Sequence, residues 1–217
     1  AKRKVIWLFG GAGLAERTHK ALFDDIWRLD PATLKFTPAR SKGYPTFTAP
    51  IVYDAKNDLV VRAPAYGGEW AARHNQNTTW VYDPNKNAWE GRATKTMPPY
   101  VGWTVFVYEP NLGKAVYCGH DKDGGQMVAW TYDAAANIWE KLDIPGDAPP
   151  GRVWPGACYD PANKVVLIYG GAGKAPGDGY GYIHRGGGTV LDDTWALDAA
   201  NRRWTRLDVG APARPVL

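Results

Sequence analysis

The feature that most constrains this chain is a unit of about 50 residues that occurs four times. In each copy an apolar run ends at a glycine, a loop follows, and a Trp-x-Leu-Asp or Trp-x-Tyr-Asp motif leads through a short turn to an aromatic residue. Short β-rich runs closed by turn residues predict four strands per unit. The motifs begin at Trp27, Trp80, Trp130 and Trp195, and the later aromatic residues are Phe36, Trp89, Trp139 and Trp204.

The glycines give the same register. Pairs stand at Gly10-Gly11, Gly67-Gly68 and Gly170-Gly171, whereas the third copy has Gly119-His120, so its backbone has to accommodate a side chain there. No single four-stranded unit buries its own faces, so repetition at this period predicts an all-β fold, the β-propeller, with one blade per unit.

The apolar run into Gly-Gly, the variable loop, the Trp-x-Tyr-Asp motif and the aromatic residue six positions beyond its Asp resemble kelch repeats. The resemblance covers essentially the whole chain and implies a kelch-type propeller with four visible blades. The Trp-Asp dipeptide of the other common propeller repeat is absent. The predicted divisions are blade 1 at 1–40, blade 2 at 41–92, blade 3 at 93–147, blade 4 at 148–208 and a tail at 209–217.

Blade 1 lacks a first strand in the sequence. The other blades are expected to have theirs at Thr46–Tyr53, Trp103–Tyr108 and Val153–Tyr159. Either the tail pairs beside Val5–Phe9 and closes a ring of four blades, or the chain is part of a larger ring. Kelch propellers more often have six or seven blades, so the resemblance favours a ring completed by further blades of the parent chain or by another subunit. An open arc would expose strand edges and apolar faces and would be sticky.

Composition limits the partners. The net charge of +4 is mild and no Lys and Arg run is longer than Lys2–Lys4, so we expect no nucleic-acid partner. No stretch approaches the roughly 18 apolar residues of a membrane span. The basic start followed by Val5–Phe9 mimics a secretory leader, but the apolar part is short and aligns with a strand of the other copies. The resemblance favours a secreted or periplasmic protein over a cytoplasmic one.

The connections predict where binding occurs. In an antiparallel meander the links between strands one and two and between strands three and four share one end, here called the turn end. The other links share the opposite end, here called the loop end. Links at the turn end are short and rich in Asp, Asn, Pro and Gly, which turn chemistry explains. Links at the loop end are long and varied, and such loops on a rigid scaffold usually carry function.

The loop end therefore supplies the candidate residues for binding a ligand or partner. All four histidines lie in its loops, one per blade. Either they form a rim of imidazoles around the mouth of the central channel, able to hold a transition metal or an anionic ligand, or they lie there because His avoids tightly patterned strands. Their spacing matches no compact metal signature, which favours the second interpretation. Three arginines, Arg40, Arg152 and Arg214, each precede a first strand or its expected position. They either present guanidinium groups to an acid or tie their loops to neighbouring groups. The candidate residues are Arg17, His19, Arg40, Trp70, Arg73, His74, His120, Asp121, Arg152, Asp178, Tyr180, Tyr182, His184 and Arg185.

The sequence assigns no catalytic residue. There is no Gly-x-Ser-x-Gly elbow, no His-Glu-x-x-His and no Walker loop. We expect no metal site and no cofactor, and we predict a non-catalytic interaction module that binds a protein or other ligand through the loop end. The alternative is a sugar-modifying or metal-dependent enzyme, because some kelch-like propellers are oxidases or epimerases. Cys118 and Cys158 are either small apolar residues or a bridge between neighbouring blades.

Overall fold

The computed structural model describes residues 4–14, 20–39, 50–64, 78–98, 104–120, 125–173 and 189–209. Every regular element in these ranges is a β-strand, and the strands form four separate antiparallel sheets. No helix in these ranges has the length and apolar character needed to cross a bilayer. The sequence prediction of an all-β fold with one sheet per repeat is therefore confirmed.

Each sheet is a meander of strands that follow one another along the chain. Blade 1 has β1 (Ile6–Leu14), β2 (Lys20–Asp30) and β3 (Lys35–Pro38). Blade 2 has β4 (Ile51–Asp54), β5 (Leu59–Arg62), β6 (Thr79–Asp83) and β7 (Ala88–Arg92). Blade 3 has β8 (Val105–Glu109), β9 (Lys114–His120), β10 (Met127–Asp133) and β11 (Ile138–Leu142). Blade 4 has β12 (Arg152–Val153), β13 (Gly156–Asp160), β14 (Val165–Gly173), β15 (Val190–Asp198) and β16 (Arg203–Leu207).

Seven tight turns of four residues close the turn end in the described part of the chain. Each follows an Asp or Glu, and each has its fourth residue in the left-handed region, with φ between 49° and 64°. The acid side chain accepts hydrogen bonds from backbone N–H groups two or three residues later, as Asp83 does from Asn85 at 2.8 Å. The Asp and Asn residues that the sequence assigned to turns therefore act as local hydrogen-bonding groups.

The blades pack face to face in chain order. Alternation along each strand gives a blade two faces, and we call the face toward the preceding blade the A face and the other the B face. On the A face of blade 2, Tyr82 and Trp89 contact Trp7 and Phe9 from the B face of blade 1, with Phe9 5.4 Å from both rings. Edge-to-face aromatic contacts of this kind add to simple burial.

The other two interfaces repeat this arrangement. Between blades 2 and 3, Val61 packs near Tyr132 and Trp139, and Trp139 donates its indole N–H to Thr79 Oγ1 at 2.8 Å. Between blades 3 and 4 the buried residues include Val105, Val116, Cys118, Ala129, Val166, Ile168, Leu197 and Trp204. The core is thus a series of apolar layers between blades, and each layer is formed by residues of two adjacent blades.

The first strands β4, β8 and β13 lie next to one another, because β8 contacts both of the other two. They therefore form the inner side of the arc. Blade 1 has three strands in the described residues, and residues 210–217 lie outside them. In blade 4 the expected first strand is broken into β12 and β13, because Trp154 adopts a φ of 54° and Pro155 follows it.

The glycine pair marks a β-bulge in two blades. The ladder shifts between Phe9 and Gly11 and again between Tyr169 and Gly171, and Gly10 and Gly170 have φ values of 53° and 61°. In blade 3, β9 pairs regularly with β10 as far as His120, with no shift of register. The His120 side chain is therefore accommodated by ordinary strand backbone. In blade 2 the register of β5 makes residue 64 the equivalent of Gly10 and Gly170. The glycine pair at 67–68 therefore begins three residues after the equivalent position.

Candidate interaction surface

The turn end is rigid because hydrogen bonds join neighbouring blades there. The hydroxyl of Tyr108 accepts from the backbone N–H of Lys56 in blade 2 at 3.1 Å. Asn111 of blade 3 donates from its side-chain amide to the hydroxyl of Tyr159 in blade 4. Burial together with the neighbouring Glu109 raises the pKa of Tyr159 to about 12, so this hydroxyl stays neutral. These links support the prediction that the turn end has a structural role and is not the binding surface.

The loop end carries the longer connections of the described blades. The segment that leaves blade 3 crosses to blade 4 there and is fixed by two backbone hydrogen bonds, from Met127 to the carbonyl of Pro149 at 2.8 Å and from Gly151 to the carbonyl of Gly125 at 3.1 Å. A cleft of about 520 Å³ lies beside this crossing, and its lining includes Gln126, Asp147, Trp195 and Arg206. The described part of this end therefore offers polar and aromatic groups together.

Twelve of the fourteen predicted binding residues lie outside the described residues, which cover only His120 and Arg152 of that set. The twelve are Arg17, His19, Arg40, Trp70, Arg73, His74, Asp121, Asp178, Tyr180, Tyr182, His184 and Arg185. Their role in binding stays a prediction.

Arg152 is held inside blade 4. Only 1% of its surface is exposed, and its guanidinium binds both carboxylate oxygens of Asp193, Nη1 to Oδ1 at 2.5 Å and Nη2 to Oδ2 at 3.0 Å. It also donates to the carbonyl oxygens of Gly170 and Pro150, each at 3.1 Å. Of the two alternatives that the sequence left for this arginine, the structure favours the one in which it ties its loop to neighbouring groups.

Asp193 completes this polar cluster. Hydrogen bonds from Arg152 outweigh burial and lower the pKa of its carboxyl group, and the indole N–H of Trp195 donates to Oδ2 at 2.7 Å. The sequence held a signal for this arrangement, because Asp193-Thr194-Trp195 repeats Asp25-Ile26-Trp27 of blade 1. Trp27 likewise donates to Asp25 Oδ2, at 2.6 Å. The repeated Asp-x-Trp pattern could therefore have identified Asp193 as a partner of Trp195.

His120 is buried, with 5% of its surface exposed, so the rim of displayed imidazoles that the four loops suggested does not extend to this histidine. It is at the end of β9 and belongs to the same strand face as Cys118, the face that meets blade 4. Cys118 is buried and Cys158 is exposed, and both are free thiols, so no bridge joins the blades through them. Burial raises the pKa of Cys118 well above its usual range.

Two apolar sheet faces at the ends of the arc are uncovered in the described residues. Phe36 on the A face of blade 1 is 56% exposed, whereas the equivalent Trp89, Trp139 and Trp204 are between 2% and 8% exposed. On the B face of blade 4, Tyr169 is 43% exposed. Within the described residues, both end blades therefore present apolar side chains to solvent.

The antiparallel blades, their stacking in chain order and the separation of tight turns from long loops define a kelch-type β-propeller. The chain belongs to the KLHDC2/KLHL20/DRC7 Kelch-repeats domain family, whose model matches residues 4–215. The solved structure of YjhT is similar, with a TM-score of 0.62 at 18% sequence identity, and the alignment covers 94% of this chain and 67% of YjhT. At this identity the likeness shows the fold alone. No curated protein gives a significant match to the chain.

Proposed function

We propose that this chain is a non-catalytic interaction module that binds a protein partner through the loop end. Kelch-repeat domains generally serve as scaffolds for protein interactions, and the family match covers nearly the whole chain. The proposal concerns which surface of this propeller is used and which residues carry the contact.

The observation that carries the proposal is the difference between the two ends of the blades. At the turn end, the seven short turns of the described residues are fixed by their own acid side chains, and hydrogen bonds such as Lys56 N–H to Tyr108 join neighbouring blades. At the loop end, the connections differ in length and composition from blade to blade. A partner that distinguishes this propeller from others with the same framework would need to contact the variable end.

The chemistry of the loops supports a protein surface as the ligand. The longest loop contributes Tyr180, Tyr182 and Arg185, and the loop of blade 2 contributes Trp70 and Arg73. Tyr, Trp and Arg are the residues that most often dominate the energy of protein interfaces, because they combine large contact areas with hydrogen-bonding groups. We propose these five residues as the main contacts.

The test compares loop variants with a variant at the turn end. Arg73→Ala, Tyr180→Ala, Tyr182→Ala and Arg185→Ala are each used to capture partners from cell extract, with quantitative mass spectrometry and the melting temperature of each variant as readouts. The matched control is Lys86→Ala, since the Lys86 side chain is 79% exposed in a turn of blade 2. We expect the loop variants to lose the same partners while melting like the wild type, and the control to keep them. Equal capture by all five variants would contradict the proposal.

The enzyme alternative is separated from this proposal by metal analysis. Among the described residues no group of three or more His, Cys, Asp or Glu side chains is arranged to hold a metal ion. We expect the purified protein to carry no transition metal in stoichiometric amount. One equivalent of such a metal, together with turnover of a sugar substrate, would favour the alternative.

A further inference from the structure

The cleft beside the crossing from blade 3 to blade 4, here called the linker cleft, opens at the loop end. Its lining includes Trp195 and Trp204 from the A face of blade 4, Ala148 from the crossing segment, and the charged residues Asp147 and Arg206. Its volume of about 520 Å³ is in the range of pockets that bind ligands. Two backbone hydrogen bonds hold the crossing segment against the start of β10, so the walls of the cleft are fixed.

The corresponding place between blades 2 and 3 is occupied by a methionine of the chain itself. There Met97 packs against the apolar cluster that contains Trp139, and Trp130 packs against the same cluster. These two tryptophans are equivalent in the repeat to the two tryptophans of the linker cleft. The hydroxyl of Thr96 donates to the carbonyl oxygen of Trp139 at 2.7 Å, which fixes the segment that contains Met97.

Ala148 is the counterpart of Met97 in the next interface. Each of the two residues follows the outer strand of its blade and precedes a pair of prolines, of which the first is buried. Ala148 also packs against the apolar cluster of its own interface. Its side chain is shorter than that of methionine by three heavy atoms, and this difference accounts for the space beside the tryptophans of blade 4.

The rim of the linker cleft carries opposite charges. Arg206 lies opposite Trp195 in the ladder of β15 and β16, so both side chains lie on the face of blade 4 that borders the cleft. Asp147 lies on the crossing segment. Among the described residues, neither charged group is paired with an opposite charge. A ligand with one positive and one negative group would therefore complement this rim.

We propose that the linker cleft binds an extended segment of a protein partner that inserts a methionine side chain. The thioether chain lies beside Trp195 and Trp204, in the place that Met97 takes between blades 2 and 3. Burial and sulfur–aromatic contacts stabilise it there. A basic residue on one side of the methionine pairs with Asp147, and an acidic residue on the other side pairs with Arg206. The inference rests on the proposed function, because the cleft belongs to the loop end and the segment belongs to the partner.

The methionines and the exposure of the rim favour a partner as the occupant. The chain has two methionines, and both Met97 and Met127 pack against the apolar clusters between blades. Neither the chain itself nor a second copy can supply this side chain without disrupting its own core. An occupant from the same chain would also cover Gln126, Asp147 and Arg206, whereas each of these residues is exposed.

The experiment uses the full chain, isotope-labelled for NMR, and the peptide acetyl-Lys-Thr-Met-Pro-Glu-amide, which has the sequence of residues 95–98 followed by an acid. We expect saturable shifts of the backbone amide signals of Gln126, Gly146 and Ala148. A peptide with alanine in place of the methionine should bind at least about tenfold more weakly, because burial of the side chain is lost. The absence of saturable shifts at millimolar peptide, or equal binding of the two peptides, would overturn the proposal.

Ala148→Met tests the cleft from the side of the protein. The longer side chain should occupy the space beside the tryptophans, so the peptide should no longer bind and the melting temperature should stay the same or rise. Ala136→Met, at an exposed turn residue of blade 3, is the matched control and should bind the peptide like the wild type. Peptide binding that persists in Ala148→Met would overturn the proposal.

Two other results with Ala148→Met would identify other occupants and would also overturn the proposal. A fall in its melting temperature would show that the chain itself already occupies the cleft. A wild-type protein that sediments as a dimer, with Ala148→Met as a monomer, would show that a second copy does so.

Asp147→Asn and Arg206→Gln test the rim. Each should weaken binding of the charged peptide about two- to fivefold, as expected for exposed ion pairs. Neither should change the binding of acetyl-Ser-Thr-Met-Pro-Ser-amide, and equal effects on both peptides would overturn the assignment of the charges. If the loop variants lose their partners but the charged peptide does not bind the wild type, the linker cleft alone is overturned. If the peptide binds but the loop variants capture partners normally, the cleft is supported and the proposed loop contacts are contradicted.

Discussion

Arg152 and Asp193 form a bidentate ion pair inside blade 4 that joins β12, the short strand before β13, to β15. Nη1 lies 2.5 Å from Oδ1 and Nη2 lies 3.0 Å from Oδ2, and the arginine side chain is fully buried. This buried pair fixes the segment that contains Arg152, because removal of either partner would leave the other charge buried and unpaired.

This pair predicts a large loss of stability in Arg152→Ala. The free energy of unfolding should fall by about 3–5 kcal/mol, because the carboxylate of Asp193 is left buried and unpaired. Urea denaturation measures it. Arg203→Ala, which removes an exposed arginine of β16, should change stability by less than about 0.5 kcal/mol. An Arg152→Ala variant as stable as Arg203→Ala would contradict the structural role of this arginine.

The repeat framework could be predicted from the sequence because each repeat contains the residues that determine strand facing and turn position. Trp, Tyr and Leu at fixed distances from an Asp specify which residues face the neighbouring blade and where each turn lies. The glycine pair was a poorer guide. It marks a bulge in blades 1 and 4, but the pair of blade 2 lies three residues beyond the equivalent position, because a glycine pair by itself does not show which ladder position needs it.

The roles of the arginines could not be predicted with the same certainty. The sequence shows that Arg152, like Arg40, precedes a first strand, but it does not show whether an acid lies within reach. The decision rests on Asp193, 41 residues away along the chain. Exposure of Phe36 was equally hidden, since its position in the repeat is that of three buried tryptophans and only the order of blades distinguishes it.

The bulge of blade 4 predicts a specific sensitivity at Gly171. Its φ of 97° is disfavoured for other residues, and an added Cβ would lie 2.7 Å from the carbonyl oxygen of Val153. Gly171→Ala should lower the free energy of unfolding by at least about 1–3 kcal/mol. Gly156→Ala is the matched control, because its added Cβ meets nothing closer than 3.9 Å. Urea midpoints of the two variants give the comparison, and similar midpoints would show that the bulge is not formed as described.

The turn end predicts stability that is lost in acid. Burial opposes ionisation of Glu109, but hydrogen bonds from Tyr159, Asn111 and Leu112 outweigh it and hold the pKa of Glu109 below its usual value. Backbone and side-chain hydrogen bonds lower the pKa of Asp30 and Asp160 in the same way. Carboxyl groups whose pKa is lower in the folded state stabilise it fully above their unfolded pKa of about 3.9–4.3 and lose that effect as the pH falls through the folded value.

Urea midpoints should therefore be nearly constant from about pH 7 to pH 5 and should fall steeply below about pH 4. Glu109→Gln should make that fall shallower, because it removes a carboxyl group whose pKa is lowered in the folded state. A main loss of stability between pH 7 and pH 6 would contradict the carboxylate origin.

Each blade packs its A face against the B face of the preceding blade. Paired substitutions at two equivalent positions test this stacking most directly. Trp139 is covered by blade 2 and bonded to Thr79, whereas Phe36 occupies the same place on the face of blade 1 that no described residue covers. By urea denaturation, Trp139→Ala should lower the free energy of unfolding by about 3–5 kcal/mol, and Phe36→Ala by less than about 1 kcal/mol. Equal losses at the two positions would contradict the order and stacking of the blades.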